Sequence, residues 1–343
     1  MSKTDTSAGH NPAAYVQERL EALAPHLMTG GCAISGLRRL TGGASLETWA
    51  FDVEGDGGIS PLILRRRGLG NDSDGFETSL PLSTEARILS TAAKAGVPVA
   101  GLVRDCIADD GLGEAYIVER VEGETLGRRI AVGEAFKAIR PSLAGQCGQT
   151  LARIHSVAPD QVPELEVQTA QDVLARYEQI YRKCSIERPV MEAALLWMKA
   201  RAPSSVEPRL IHGDFRNGNL MIHPEKGLVA ALDWEMAHLG DPAEDMGWLC
   251  VNSWRFGEVQ NPVGGFGQIE DLLRAYEAAG GQSIDLERIR FWQAAGTFKW
   301  AVVTMMMYQS YATGASVSVE RAVIGRRLSE CEVDLLALME NAR

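Results

Sequence analysis

The stretch from Leu210 to Trp248, LIHGDFRNGNLMIHPEKGLVAALDWEMAHLGDPAEDMGW, alternates short apolar runs with carboxylates and carboxamides. Asp214, Asn219 and Asp233 are the members of this set whose spacing suggests a shared task. A buried carboxylate is costly unless a positive charge lies close to it. The stretch therefore predicts a bound cation among these side chains.

The spacing of the three residues favours the chemistry of phosphoryl transfer. Asn219 follows five residues after Asp214, and Asp233 follows fourteen residues after Asn219. A carboxylate that accepts the proton of a hydroxyl group has to lie beside a metal-bound phosphate. Mg²⁺ is held by a few hard oxygen ligands and completes its shell with water and phosphate oxygens. We therefore predict Mg²⁺ as the cation, with ATP or another nucleotide supplying further ligands.

Three segments of the stretch resemble motifs of the aminoglycoside phosphotransferase-like enzymes, which are similar in fold to protein kinases. HGDFRNGN resembles the loop H-G-D-x-x-x-x-N, ALDWE resembles I-D-W-[D/E], and GDPAEDMGW resembles G-D-P-x-x-D-L. Three linked motifs in the right order are a specific signal. The resemblance is strongest over residues 210–248 and extends over roughly residues 35–330. It implies that Asp214 is the catalytic residue and that Asn219 and Asp233 are metal ligands.

The other polar residues of the stretch receive mainly structural interpretations. His212 matches the histidine that braces the loop through backbone contacts, and we expect it to take no part in the chemistry. Asn217 could face the metal, although the five-residue spacing favours Asn219. Glu235 could touch a second metal ion or cap a turn, and the turn is favoured. Asp245 is expected to tie the loop to a helix.

The pattern of apolar residues divides the chain at about residue 121. Before it, apolar and polar residues alternate between glycines, which predicts antiparallel strands, with one inserted helix at STEARILSTAAKAG. After it, the periodicity is mostly helical. We predict an α+β, bilobal, protein-kinase-like fold. Residues 1–121 would form an N-lobe with an opening helix and a small antiparallel sheet, and residues 122–343 a larger helical C-lobe, with the ligand site in the cleft between them.

Two segments of the predicted N-lobe are candidates for nucleotide binding. The resemblance implies that the hairpin containing Gly42, Gly43 and Ser45 lies over the phosphates, with its backbone N–H groups facing them. It also implies that backbone groups from Glu119 to Val121, in the strand AYIVERVEG, face the base. Readout by backbone groups leaves the side chains unconstrained, so the sequence does not distinguish ATP from GTP.

The strand LILRRRG carries the basic residues that would bind phosphate. Kinases have a lysine in the position that Arg65 occupies here, and a guanidinium can bind phosphate bidentately. Alternation along the strand places Arg67 on the face of Arg65 and Arg66 on the opposite face. Either Arg65 or Arg67 could therefore bind the α- and β-phosphates. The resemblance implies that Glu85, in the following helix, braces this arginine.

Composition limits the partners and the compartment. The net charge of −11 and the pI of about 5.2 disfavour nucleic acid as a partner. The six cysteines lack C-x-x-C spacing, which indicates reduced thiols in a cytoplasmic protein without a zinc site. The N-terminus lacks the apolar core of a signal peptide, and the most apolar late segment, AVVTMMMYQSYA, is too short to span a bilayer. We therefore expect no membrane partner.

The leading hypothesis is a Mg²⁺-dependent small-molecule kinase that transfers the γ-phosphoryl group of ATP or GTP to the alcohol group of a metabolite. The arginine-rich strand, the DWE variant and the aromatic segment RFWQAAGTFKW resemble the branch of the family associated with acyl-CoA dehydrogenases. That resemblance favours a hydroxyacyl-CoA as the acceptor. The alternatives are an aminoglycoside or other antibiotic O-phosphotransferase, and a non-catalytic pseudokinase that only binds nucleotide. The presence of Asp214, Asn219 and Asp233 together argues against a pseudokinase.

Overall fold

The structure, a computed structural model, describes residues 12–40, 46–68, 80–204, 206–315 and 318–340. The chain forms two compact units. The first contains the residues up to Ser90 together with Ala100–Val121, and the second contains Thr91–Val99 and Glu122–Arg343. The predicted glycine hairpin at Gly42, Gly43 and Ser45 lies outside the described residues.

The first unit is built around one antiparallel sheet of five strands. Its elements are α1 (Pro12–Leu27), β1 (Ala33–Leu40), β2 (Glu47–Gly55), β3 (Gly58–Arg66), α2 (Leu82–Lys94, whose last turn groups with the second unit), β4 (Leu102–Asp105) and β5 (Ala115–Glu119). The order of the strands in the sheet is β1-β2-β3-β5-β4.

One face of this sheet packs against α1. The residues that recur at helical spacing in α1, Val16, Leu20, Leu23 and Leu27, are all buried. They form one hydrophobic cluster with the inward-facing residues of the strands, among them Trp49, Phe51, Leu62, Leu64 and Ile117. The alternation in β3 is as predicted, because Leu62, Leu64 and Arg66 are buried on this face. The packing therefore fixes the face on which each arginine of β3 lies.

The segment VPVAGLVRDCIAD, residues 97–109, has an apolar pattern that predicts one strand, but the strand in the structure is much shorter. VPVAGLVRDCIAD contributes only β4, which begins at Leu102. The carbonyl oxygen of Pro98 instead accepts a hydrogen bond from the backbone N–H of Ala231, at 2.8 Å, in the second unit. Residues 97–99 therefore use their backbone away from the five-stranded sheet.

The second unit is mainly helical. Its elements are α3 (Gly127–Val132), α4 (Arg140–His155), α5 (Ala170–Lys183), α6 (Pro189–Lys199), β6 (Arg209–Ile211), β7 (Leu220–His223), β8 (Gly227–Ala231), β9 (His238–Gly240), α7 (Ala243–Leu249), α8 (Ile269–Ala278), α9 (Leu286–Ala312), α10 (Val319–Gly325) and α11 (Leu328–Glu340). The four short strands form two antiparallel pairs, β6 with β9 and β7 with β8. The predicted α+β class is confirmed by the sheet of the first unit and the helices of the second.

Two further expectations concern cysteine and membrane. All six cysteines are free, and four of them are buried. Burial raises the pKa of Cys331 to about 12, so this thiol stays protonated at neutral pH. None of the helices in the described parts of the chain is long and apolar enough to cross a membrane.

Candidate active site

The HGDFRNGN segment forms the loop between β6 and β7. Both strands are short and buried, so their ends hold the loop at the edge of the packed helices. The backbone N–H of Leu232 donates to the carbonyl oxygen of Asn219 at 2.8 Å, which extends the pairing of β7 with β8. This bond brings the chain at Asn219 next to the residue that precedes Asp233. Hairpin pairing thus explains how residues fourteen apart become neighbours.

The carboxylate of Asp214 is held by three donors. Trp248 donates from Nε1 to Oδ1 at 2.7 Å, and Arg216 donates from Nε to the same oxygen at 3.0 Å. Asn219 donates from Nδ2 to Oδ2 at 2.5 Å. The side chain is 14% exposed, so it can still reach a ligand. Both oxygens are fixed in place, and the carboxylate can orient a hydroxyl group that approaches Oδ2.

The two predicted metal ligands present oxygen atoms of the right kind. Asn219 uses its amide nitrogen on Asp214, which leaves the carboxamide oxygen for a cation. Asp233 is half-buried and adopts a positive φ of 68°, a backbone state that is strained for most residues and concentrates at functional sites. One carboxamide and one carboxylate suit Mg²⁺ that also binds phosphate oxygens. Among the described residues, no group of three or more His, Cys, Asp or Glu could hold a metal ion.

A buried network fixes the backbone of the loop. Asp245, in α7, accepts hydrogen bonds from the backbone N–H of His212 at 2.8 Å and of Gly213 at 2.9 Å. His155 lies 3.2 Å from the same carboxylate and 3.0 Å from the hydroxyl of Tyr276. Burial acts to raise the pKa of Asp245, but the hydrogen bond and charge of His155 and the backbone N–H of His212 bring it below the ordinary value. The loop is therefore tied to α7, α4 and α8.

His212 has surroundings that suit a structural role. It is fully buried beside Trp234 and Phe215, with ring centroids 4.4 Å and 5.7 Å away. Its Nδ1 accepts from the backbone N–H of Asp214 at 3.2 Å. Burial lowers the pKa of His212 below its usual range, despite the nearby carboxylates. A neutral imidazole can accept this hydrogen bond, which helps to hold Asp214 in position.

Asn217 is buried and bonds to two backbone carbonyl oxygens. Its Nδ2 donates to the carbonyl oxygens of Gly127, at 3.2 Å, and Gly264, at 2.7 Å. These bonds tie the loop to the start of α3 and to the segment before α8. The amide nitrogen is thus committed to structural contacts, while Oδ1 is buried without a hydrogen-bond partner among the described residues. The motif spacing still makes Asn219 the better candidate for the metal.

In the first unit, Arg65 and Glu85 form the predicted pair. Nη1 of Arg65 lies 4.0 Å from Oε2 of Glu85, which is buried and accepts from the hydroxyl of Tyr116 at 3.1 Å. Arg67 pairs with Glu114 at 2.9 Å instead. Arg66 is buried on the opposite face. Of the two arginines left open by the sequence, Arg65 is therefore the one braced by Glu85.

The segment from Glu119 to Val121 commits most of its N–H groups to the sheet. Glu119 donates to the carbonyl oxygen of Gly101 at 2.8 Å, and Arg120 donates to that of Pro61 at 3.0 Å. Within the described residues, the backbone N–H of Val121 has no such bond. It is the donor of this segment that could meet a base.

Three residues around Asp214 were not predicted. Trp248 and Arg216 lie inside the quoted stretch, but nothing in their spacing showed that they contact the carboxylate of Asp214. Lys299, from the middle of α9, is buried with Nζ 3.4 Å from the carbonyl oxygen of Gly213 and 4.7 Å from the centroid of the Trp248 ring. A small cavity beside Gly213 is lined by Tyr177, Trp248 and Lys299, among others. Only the packing of α5, α7 and α9 reveals it.

These features can be compared with known proteins. The family model described as the phosphotransferase enzyme family matches residues 36–292, three quarters of the chain. The chain belongs to this phosphotransferase family. The match confirms the family that the HGDFRNGN, ALDWE and GDPAEDMGW motifs resemble, and with it the prediction of a phosphotransferase enzyme.

Among curated proteins, the phosphotransferase is similar to mouse acyl-CoA dehydrogenase family member 10. The two are 27% identical over 294 residues, which cover 80% of this chain and 27% of that relative. The phosphotransferase spans between 27% and 37% of the length of the curated relatives compared. The predicted resemblance to the acyl-CoA dehydrogenase-associated branch is confirmed.

Solved structures show the same fold. A candidate aminoglycoside phosphotransferase from Ralstonia eutropha superposes with a TM-score of 0.75 at 22% identity, covering 94% of this chain and 98% of that chain. An aminoglycoside phosphotransferase crystallised with AMP-PNP and hygromycin B gives a TM-score of 0.61 at 15% identity, covering 96% of this chain and 98% of that chain. The kinase-like phosphotransferase fold predicted from the sequence is confirmed.

Proposed function

We propose that this phosphotransferase moves the γ-phosphoryl group of ATP or GTP to a hydroxyl group of a small metabolite, with Mg²⁺ bound to Asn219 and Asp233. The observation that carries the proposal is the carboxylate of Asp214, which three donors hold beside Asn219. A carboxylate fixed in this way is suited to orienting a hydroxyl and receiving its proton. The related enzyme crystallised with AMP-PNP and hygromycin B supports a nucleotide donor and a small acceptor.

The chain's residues have separate tasks in this reaction. The acceptor hydroxyl donates a hydrogen bond to Asp214, its oxygen forms the new bond to phosphorus, and its proton passes to the carboxylate. The bond between the γ-phosphorus and the bridging oxygen breaks, and the nucleoside diphosphate leaves. Mg²⁺, when bound, neutralises charge on the phosphate oxygens. Arg65, held by Glu85, is proposed to bind the α- and β-phosphates.

A metabolite is favoured over an antibiotic as the acceptor, and a hydroxyacyl-CoA is the finer proposal. The curated relatives named for acyl-CoA dehydrogenases support it. The antibiotic hypothesis rests on the solved neighbours alone.

A screen for nucleoside diphosphate release tests the proposal. Hydroxyacyl-CoAs, other hydroxylated metabolites and aminoglycosides would be offered with Mg-ATP and with Mg-GTP. We expect a hydroxylated metabolite to stimulate release more than any aminoglycoside does. Stimulation by aminoglycosides alone would favour the antibiotic hypothesis. Nucleotide binding without turnover on any acceptor would favour the pseudokinase.

Replacement of Asp214 tests its role directly. Asp214→Asn should lower kcat by roughly 10²–10⁴-fold, because it removes the group that receives the proton. Calorimetry should show nearly unchanged nucleotide binding. Asp160→Asn, at an exposed position in the second unit, is the control and should behave as wild type. Turnover of Asp214→Asn within a few-fold of wild type would remove Asp214 from the mechanism.

The metal ligand has its own test. Asp233→Ala should abolish the Mg²⁺-dependent part of nucleotide binding, since the carboxylate supplies the charged ligand. Calorimetric titrations with ATP, in the presence of Mg²⁺ and of EDTA, measure that part. If the variant binds Mg-ATP as tightly as wild type, Asp233 is not a ligand.

A further inference from the structure

Arg216 is fixed on both sides within the catalytic loop. Its Nε donates to Oδ1 of Asp214 at 3.0 Å, and its guanidinium carbon lies 4.6 Å from the ring centroid of Trp254. Stacking and a charge-assisted hydrogen bond together restrict the side chain to one orientation. Arg216 is 26% exposed, so its terminal groups can meet a ligand.

The surroundings of Arg216 are built to hold it there. Trp254 is one of three packed tryptophans, with ring centroids 5.1 Å from Trp248 and 4.9 Å from Trp300. Gly218 has a φ of +126°, and a Cβ added to it would lie 2.5 Å from Nη1 of Arg216. A side chain at position 218 would therefore require this end of Arg216 to shift.

The Nη groups of Arg216 carry the unused hydrogen-bonding capacity. Among the described residues, Asp214 is the hydrogen-bond partner of this guanidinium, through Nε. A group that accepts from an Nη would lie within about 8 Å of Oδ1 of Asp214, given hydrogen bonds of about 3 Å at each end. A phosphoryl group in transfer to a hydroxyl bound by Asp214 has its oxygens within roughly 6 Å of the carboxylate. An Nη group of Arg216 can therefore reach the phosphoryl oxygens, whatever acceptor carries the hydroxyl that Asp214 binds.

We propose that Arg216 is a further catalytic residue, whose Nη groups bind the oxygens of the phosphoryl group during its transfer. The inference rests on the proposed function, because the phosphoryl group comes from the nucleotide. An arginine supplied from the same chain stabilises the charge on the transferring group in other phosphoryl-transfer enzymes. Here the stacked orientation means that the guanidinium is in place before the reaction, without a loss of side-chain freedom at the transition state.

The experiment compares ground-state binding with binding of a transition-state mimic. Calorimetry would measure the affinity of wild type, Arg216→Gln and Arg216→Lys for Mg-ATP and for Mg-ADP with aluminium fluoride. Wild type should bind the aluminium fluoride complex at least about 100-fold more tightly than Mg-ADP. Arg216→Gln should lose most of this difference but keep its affinity for Mg-ATP within about threefold, and its kcat should fall by roughly 10²–10³-fold. Arg216→Lys should retain part of both.

Arg201→Gln is the matched control. Arg201 also stacks on a tryptophan, 4.7 Å from the ring centroid of Trp197, but it lies just after the end of α6 and outside the HGDFRNGN loop. Arg201→Gln should leave kcat unchanged, together with the affinities for Mg-ATP and for Mg-ADP with aluminium fluoride. Circular dichroism melting would show that Arg216→Gln is folded, and Arg216→Lys keeps the test valid if that variant unfolds.

Three results would overturn the inference. Full retention of tight aluminium fluoride binding by Arg216→Gln would do so and leave the proposed function standing. A loss of turnover confined to acceptors that carry a carboxylate, with neutral alcohols unaffected, would mean that Arg216 binds the acceptor instead. Absence of any nucleotide binding by wild type would overturn the proposed function and, with it, this inference.

Discussion

At the scale of single residues, the HGDFRNGN loop is organised by Asp245. Its buried carboxylate receives two backbone N–H groups from the loop and the imidazole of His155, so its charge is well compensated. Asp245, the last residue of the GDPAED motif, therefore fixes the backbone conformation just before Asp214. His212, packed against the rings of Trp234 and Phe215, accepts a hydrogen bond from the N–H of Asp214.

The lowered pKa of His212 predicts a dependence of stability on pH. His212 stays neutral in the folded chain, whereas it binds a proton near pH 6.5 when unfolded. The stability it permits is complete above that value and is lost as pH falls toward the folded pKa, by up to about 1.4 kcal/mol per pH unit. Urea unfolding of wild type and His212→Gln between pH 7.5 and 5.5 measures the difference in slope.

A second buried histidine, His238, has a pKa shift of the opposite sign and does not disturb this comparison. His238 is buried beside Glu244, and although burial acts to lower its pKa, the charge and hydrogen bond of Glu244 raise it. His238 therefore contributes with the opposite sign, and its stabilisation is lost as pH rises through its folded pKa. Because His238 is present in both proteins, it cancels in the comparison. Equal slopes for wild type and His212→Gln would contradict the prediction.

At the scale of elements, α4 and α8 approach closely at one glycine. A Cβ on Gly148 would lie 2.2 Å from the carbonyl oxygen of Leu272 and 2.9 Å from the backbone nitrogen of Tyr276. The obstacles are backbone atoms, so a side-chain rotation cannot relieve them. This contact also positions Tyr276, whose hydroxyl meets His155. Helix packing and the network behind the catalytic loop therefore depend on the same approach.

Two glycines of α4 give a matched pair of alanine substitutions. Gly148→Ala should lower the free energy of unfolding by about 1–3 kcal/mol or more, because α8 must move away. Gly145→Ala should be neutral or stabilising by up to about 1 kcal/mol, since its Cβ would make an ordinary contact 3.7 Å from Ala275 and alanine favours a helix. Urea unfolding measures both. Equal stability of the two variants would show that the close approach is not maintained.

At the scale of the whole molecule, each compact unit carries one part of the proposed chemistry. The first unit holds the basic strand β3, with Arg65 on one face and Arg66 on the other. The second holds the catalytic loop and the helices around it. A net charge of −11 means that these local arginines, rather than the overall charge, would have to attract a nucleotide.

Thermal shifts of the whole chain test the arginines of β3. Mg-ATP should raise the Tm of wild type, because a ligand that binds only the folded state stabilises it. Arg65→Ala should reduce this shift, since charge-assisted hydrogen bonds contribute on the order of 1.5–3 kcal/mol. Arg67→Ala, whose partner is Glu114, is the control and should keep the shift. A full shift with Arg65→Ala would exclude Arg65 from phosphate binding.

Arg66→Ala should behave differently from both. Arg66 is 4% exposed, lies 3.7 Å from Glu47 and is within 5.9 Å of the ring centroid of Tyr15 in α1. Its replacement should lower the Tm without ligand, because packing against α1 is lost. The shift that Mg-ATP adds should be unchanged. A reduced shift would mean that the strand presents the other face to the nucleotide.

The sequence by itself determined the family, the α+β fold class, the face of each residue in β3 and the neighbourhood of Asp214, Asn219 and Asp233. It could do so because alternation, helical periodicity and motif spacing are properties of short segments. The extent of β4 was overestimated, because the alternating pattern continues through residues whose backbone bonds elsewhere, as Pro98 does with Ala231. A local sequence pattern does not determine where the hydrogen-bonded pairing of a strand with its neighbour ends.

Only the tertiary structure decided which groups surround the carboxylate of Asp214. Trp248 reaches Asp214 across 34 residues, His155 reaches Asp245 across 90, and Lys299 reaches Gly213 across 86. Arg216 is a neighbour of Asp214 in the chain, yet its stacking on Trp254 was equally hidden. These contacts depend on how helices of the second unit pack against one another. Packing is set by the shapes of whole helix faces, including gaps such as Gly148, and no spacing within a single segment encodes it.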